Sequence, residues 1–142
     1  MAWLLDTCVL SEYVRPAPAR AVIAWLDAQA ESQLFISVLS LAEIERGVLK
    51  LQAREPVRAK RLAAWLADLE QRFAERSLPI DRPALRVWSQ SCAQADLAGQ
   101  RLPVMDALIM ATAQCHGLTI ATRNLRDFAR YDKLFDPWQF EG

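Results

Sequence analysis

Glycine, histidine and paired cysteine are scarce in this chain of 142 residues, and each scarcity removes a class of function. The only glycines are Gly47, Gly99, Gly117 and Gly142. Neither the glycine-rich turn of a dinucleotide-binding fold nor the phosphate-cradling loop of a nucleoside triphosphatase can be written with them. His116 is the only histidine, and Cys8, Cys92 and Cys115 contain no Cys-x-x-Cys pair, so a His/Cys zinc cluster is excluded. No stretch reaches the ~20 apolar residues of a membrane span. The start, Met1-Ala2-Trp3-Leu4-Leu5-Asp6, lacks the basic segment of an export signal. An odd cysteine count without such a signal points to the reducing cytoplasm. Charge of one sign is missing too: 17 Lys and Arg balance 17 Asp and Glu, so any polyanion must be held locally rather than by a global field.

What is present is enough apolar material, 53% of the chain, to bury one core, so residues 1–142 are expected to form a single domain. Ala2 to Leu5 reads as a buried strand that ends in a carboxylate, Asp6, and a helix-capping hydroxyl, Thr7. After the Pro16-Ala17-Pro18 turn, Val22, Ile23, Trp25 and Leu26 recur at helical spacing. Leu34-Phe35-Ile36 is a second strand, and Ser37 caps a helix to about Gln52 with Leu41, Ile44, Val48 and Leu51 as its apolar stripe. Pro56 opens a helix whose core face is Leu62, Trp65, Leu66, Leu69 and Phe73. Leu78-Pro79-Ile80 is a weak third strand, followed by a helix from about Pro83 to Ala98. Pro103 starts another helix, which His116-Gly117 stops. Leu118 to Ala121 is a fourth strand, and Thr122-Arg123-Asn124 a polar turn. Strands alternating with helices predict a parallel sheet covered on both faces.

Charge is unevenly distributed. From Arg46 to Arg86 there are ten Lys and Arg against five Asp and Glu, leaving seven basic and twelve acidic residues elsewhere. That basic stretch is either the solvated face of two helices or a phosphate-backbone track beside an acidic site. Four acids mark such a site: Asp6 after the first strand, Glu43 within an apolar helix, Asp106 in a helix first turn and Asp127 after the last strand. In an open parallel sheet, strand carboxyl ends gather at one edge beside the topological switch point, where Asp6 and Asp127 would meet. Carboxylates sharing a pocket repel, and they stay ionised only around cations. Oxygen donors without histidine or thiolate select Mg²⁺ or Mn²⁺, which can activate a water and neutralise charge on a phosphodiester. Each acid also has an ordinary structural explanation: a helix cap for Asp6, a helix-dipole partner for Asp106, a turn residue for Asp127, an i,i+3 pair with Arg46 for Glu43. Only the four in this order favour a site.

Asp6-Thr7-Cys8, the Ser40-to-Gly47 segment around Glu43, the Asp106-to-Ala113 segment, Thr122-Arg123-Asn124-Leu125-Arg126-Asp127-Phe128 and the closing Asp136-Pro137-Trp138 together resemble the signature segments of PIN-domain ribonucleases. The likeness is to the VapC/FitB-type toxins of bacterial toxin–antitoxin modules, and it spans nearly the whole chain. Thr122 to Phe128 is its most specific piece. Met110 stands where the motif has a small residue, and Cys8 where Ser or Asn is also common.

The resemblance implies a PIN-like three-layer α/β/α fold with a mainly parallel sheet of four to five strands, and an endoribonuclease that uses Mg²⁺ or Mn²⁺. Asp6 and Asp106 would hold the principal ion, Glu43 and Asp127 would complete the site, and Thr7, Thr122 and Asn124 would line it. His116 matches the family's helix end and is read as a cap. RNA would be presented as a single-stranded loop. The resemblance also implies a VapB/FitA-like antitoxin, whose C-terminal segment would lie between the Ser37–Gln52 and Pro56–Arg76 helices beside Arg46, Lys50, Arg54 and Arg58. A homodimer is expected, from family likeness and from amphipathic helices on a small domain. Competing readings fare worse. A haloacid-dehalogenase-type phosphatase needs an Asp where Cys8 stands, and a receiver domain needs an acidic pair and a late lysine. A non-cleaving PIN-like module binding nucleic acid or protein is the remaining alternative, and a degenerate module of that kind would be expected to have lost one or more of the four acids.

Overall fold

Strand residues alternate between two cores, as a sheet covered on both faces requires. In the computed structural model, which describes residues 1–142, the strands are β1 (Trp3–Leu5), β2 (Leu34–Ser37), β3 (Ser77–Leu78), β4 (Thr119–Ala121) and β5 (Leu134–Phe135). The helices are α1 (Thr7–Leu10), α2 (Arg20–Ala28), α3 (Val38–Leu51), α4 (Pro56–Arg72), α5 (Arg82–Leu97) and α6 (Val104–His116). Trp3, Leu5, Leu34, Ile36 and Ala121 enter a core shared with α1 to α4. Leu4 and Ile120 point the other way, into a core with Ala107, Ile109, Met110 and Ala113 of α6 and with Trp88 and Cys92 of α5 packed against it. The result is a three-layer α/β/α arrangement, and none of its helices is long and apolar enough to cross a membrane.

All five strands are parallel, in the order β3-β2-β1-β4-β5. The chain fills one side of β1 first and then crosses to the other, so the carboxyl ends of β1 and β4 open a crevice at the switch point. Register sets what lies there. Leu5 pairs with Ala121, which brings the next residues, Asp6 and Thr122, side by side.

The ends of the elements follow local chemistry. Ser37 caps α3 by accepting from the Leu39 N–H at 3.1 Å, and Asp81 caps α5 by accepting from Ala84 at 3.2 Å. Gly117 ends α6 in the left-handed region at φ 65°, which a side chain would resist. Three details differ from the sequence reading. Strand β3 covers Ser77–Leu78 and stops at Pro79, which has no N–H to continue the ladder. The cap of α1 is the Asp6 carboxylate rather than the Thr7 hydroxyl, because Asp6 has the extended backbone of a cap while Thr7 is already helical. Strand β5 is too short for a periodic signal; it is held by pairing with Ile120 and Ala121. Its Phe135 packs 5.3 Å from Trp3 and 5.4 Å from Trp25, ring centre to ring centre, with the two tryptophans 5.0 Å apart, fastening α2 across β1 and β5.

Candidate functional site

Asp6 is oriented by three contacts that follow from its place at the end of β1. Its N–H donates to the Ala121 carbonyl at 3.0 Å, continuing the ladder. One carboxylate oxygen accepts from the Thr7 N–H at 2.9 Å, and the other from the buried Thr122 hydroxyl at 2.8 Å. The Thr122 oxygen in turn accepts from the Asn124 N–H at 3.0 Å, which folds the turn after β4 back onto the site. The Cys8 thiol lies 3.7 Å from Asp6 Oδ2 and 3.6 Å from Thr122 Oγ1, and burial together with the Asp6 charge pushes its pKa up.

The other acids arrive from separate elements. Glu43 sits in the second turn of α3, which Ser37 at the end of β2 aims along the crevice. Asp106 is in the first turn of α6, and Asp127 lies in the 3-10 turn Leu125–Phe128 that follows β4. Glu43 is exposed overall, yet surrounding atoms strip enough of its hydration that desolvation is the largest cause of its raised pKa, with the Asp6 and Asp106 charges adding to it. Half-buried Asp106 is raised by desolvation, then by Asp127 and Asp6. Asp6, Glu43 and Asp106 therefore act on one another, while exposed Asp127 reaches the group through Asp106. No three of the chain's acidic, histidine or cysteine side chains are drawn to the distance at which they would share one ion.

None of the four ion pairs in the protein involves these acids. The Thr7 hydroxyl is buried without a hydrogen-bond partner. Carboxylates without an ion-paired Lys or Arg, two of them with pKa values raised by burial and by neighbouring acids, beside an unused hydroxyl, make a donor set suited to a hard divalent cation.

A cleft of about 920 Å³ runs from this edge between α3 and α4. Thr7 and Glu43 form its end at the acids, Ile44, Val48, Leu62 and Trp65 its apolar floor, and Arg15, Arg58 and Arg61 its basic rim. Of the basic residues expected from the sequence to border this groove, Arg58 lines it and Arg46, Lys50 and Arg54 do not. Helical phase explains the difference, because α3 turns Ile44 and Val48 inward and leaves Arg46 and Lys50 exposed.

Comparison with known proteins agrees with this fold. The PIN domain family matches residues 3–134. The chain is 37% identical to the toxin FitB of Neisseria gonorrhoeae over 138 residues, covering 95% of this chain and 97% of that protein. It is 35% identical to a VapC ribonuclease of Sinorhizobium fredii, covering 96% and 97%. Its fold matches the crystal structure of FitAcB from Neisseria gonorrhoeae with a TM-score of 0.88 at 35% identity, over 97% of this chain and 99% of that one. A member of the VapBC family of toxin–antitoxin systems from Mycobacterium tuberculosis matches with a TM-score of 0.65 at 27% identity, over 94% and 95%. The chain belongs to the PIN-domain family, among the VapC/FitB toxins.

Two features near the site escaped the sequence reading. Glu12 is 3% exposed; it accepts from the Ala19 N–H at 2.9 Å and from Arg15 at 3.1 Å, so it shapes the loop that forms one wall of the cleft. The i,i+3 spacing of Glu12 and Arg15 was the available signal. The Arg123 guanidinium lies 5.2 Å from the centre of the Trp138 ring, a contact that joins the turn after β4 to the chain's last turn.

Proposed function

We propose that this chain is an Mg²⁺- or Mn²⁺-dependent endoribonuclease, the toxin of a cytoplasmic toxin–antitoxin pair. The observation that carries the reading is the set of unpaired carboxylates at the switch point, where desolvation and neighbouring acids make Glu43 (Asp6 and Asp106) and Asp106 (Asp127 and Asp6) resist ionisation. Asp6 and Asp106 would hold the principal divalent ion, and Glu43 and Asp127 would complete its surroundings. When bound, that ion supplies an activated water and neutralises charge on the phosphodiester. The Thr7 N–H and Thr122 hydroxyl occupy one lone pair on each Asp6 oxygen, fixing the direction in which the carboxylate faces the crevice. Thr7 and Asn124 would line the place where the RNA backbone would lie, and fully buried Thr122 would act there through Asp6.

The test is cleavage of single-stranded RNA by the purified protein. Cutting is expected with added Mg²⁺ or Mn²⁺ and none with EDTA. RNA that is bound but left intact with either ion would favour a non-cleaving binding module.

Likeness to the toxin FitB and to a VapBC toxin–antitoxin structure supports an antitoxin partner. Its C-terminal segment would fill the α3–α4 cleft, where the apolar floor and the Arg15, Arg58 and Arg61 rim suit an amphipathic, partly acidic peptide. Reversing the charge of Arg58 and Arg61 together should weaken the complex; unchanged affinity would remove the peptide from this cleft. Homodimerisation would cover exposed Leu97, Val104 and Met105, where α5 hands over to α6. A scattering mass near that of one 16.1 kDa chain would argue against the dimer.

A further inference from the structure

Arg123 is the one residue of the Thr122-Arg123-Asn124 turn without a place in the site as described. Thr122 holds Asp6, and Asn124 holds Thr122. The Arg123 backbone N–H faces the Cys8 thiol, so the base of this side chain adjoins the acids. Its guanidinium forms no ion pair, although four acids share this sheet edge. It rests instead on the Trp138 ring, 5.2 Å from the centroid. Trp138 is itself fixed: its N–H donates to Asp136 at 2.9 Å, and its ring packs against the core beneath α2. The arginine is thus exposed, seated on Trp138 and without an ion pair, one residue from the hydroxyl that orients Asp6.

A cluster of carboxylates repels the polyanion it is meant to cut. A cation among the acids would neutralise them, whereas a cation beside them, held off by an aromatic face, keeps its charge for a phosphate. Arg15 differs in being ion-paired with Glu12 at 3.1 Å. We propose that Arg123, positioned by Trp138, grips a phosphate of the RNA strand flanking the scissile bond. This inference rests on the ribonuclease reading above. Arg123 is a binding residue that touches the substrate, and Trp138 acts through it as a positioning residue.

The experiment measures binding of a fluorescein-labelled single-stranded RNA twelve-mer by anisotropy across a salt series. Asp106→Asn protein is used so that the probe survives. Arg123→Ala in that background should weaken binding roughly tenfold and lower the slope of log K against log salt by about 0.7, the share of one phosphate contact on a single strand. Arg123→Lys should restore the slope, and Trp138→Leu should weaken binding less than Arg123→Ala while keeping the slope. A merely structural arginine would lower the melting temperature and leave the slope alone, and that result overturns the proposal. So does loss of affinity for the antitoxin peptide with RNA binding unchanged. If the Arg123-containing parent fails to bind RNA and the wild type fails to cut it with Mn²⁺, the ribonuclease reading falls and this inference with it. An unchanged slope in a parent that binds and a wild type that cuts removes only Arg123.

Discussion

Two groups of carboxylates in this molecule face opposite electrostatic surroundings. Glu31 sits on the surface between α2 and β2 with the Arg72 Nε at 2.8 Å and the Arg76 Nη2 at 3.4 Å. Its pKa is lowered, first by the Arg72 hydrogen bond and then by the arginine charges. Glu43 and Asp106 have no such partner, and theirs are raised by desolvation and then by neighbouring acids, Asp6 and Asp106 for Glu43, Asp127 and Asp6 for Asp106. The chain has arginine to spare, so the difference is one of placement. At Glu31 the counter-ions come from within and tie the end of α4 to the entry of β2. At the switch point no Lys or Arg forms an ion pair with the acids.

The largest expected effect separates the groups by activity. Asp6→Asn or Asp106→Asn should reduce RNA cleavage by at least about a thousandfold, roughly 4 kcal/mol of transition-state stabilisation. Metal-free stability should stay the same or rise, since Asn still serves as a cap at position 6 and one repelling charge is gone. Cleavage assays beside urea denaturation check both halves, and a residual rate near wild type would detach the carboxylate from the chemistry.

A smaller effect, confined to folding, is expected at the paired cluster. Arg76 is largely buried and donates to the carbonyls of Glu31 at 2.8 Å, Leu34 at 2.6 Å and Arg72 at 2.7 Å, with its guanidinium over Phe73. Arg76→Ala leaves those carbonyls short of a donor and should cost about 2–4 kcal/mol in urea denaturation. Cleavage per folded molecule should be unchanged; lost activity in fully folded protein would mean the two regions are coupled.

The smallest effect concerns pH. A raised carboxylate pKa means that the folded state keeps its proton to higher pH than the unfolded chain does. The metal-free fold is therefore penalised as pH climbs from the ordinary value of 4.5 for Glu43 through its raised value, and the penalty is complete above that. Glu43→Gln should match wild type in acid and become the more stable protein as pH rises to neutral. Glu31→Gln should show the opposite sign: a lowered pKa contributes stability above the unfolded value that is lost as pH falls through the folded one. Paired denaturation series from pH 3 to 8 on the order of one-unit steps would show the two differences diverging, and parallel curves would contradict the contrast.

The sequence made legible whatever depends on neighbours in the chain. Strand ends, the Ser37 cap, the Gly117 stop and the acids at Asp6, Asp106 and Asp127 sit at transitions between apolar runs and polar turns, and Glu43 stands out as an acid within an apolar helix. It hid what depends on pairing across distance. Strand β5 exists because two residues find the edge of β4. Arg123 and Trp138 are fifteen positions apart and meet only once that edge is formed. The basic rim of the cleft is hidden for the same reason, because the charges along α3 and α4 do not show which side of each helix faces the gap.

The central claim is that the acids of the switch point share an exogenous cation. Thermal melts with and without Mn²⁺, on wild type and Asp106→Asn in parallel, test it most directly. Wild type should gain stability as mass action requires, about 2.7 kcal/mol at a hundredfold excess over the dissociation constant, and Asp106→Asn should gain much less. An equal response of both proteins to Mn²⁺ would contradict the account.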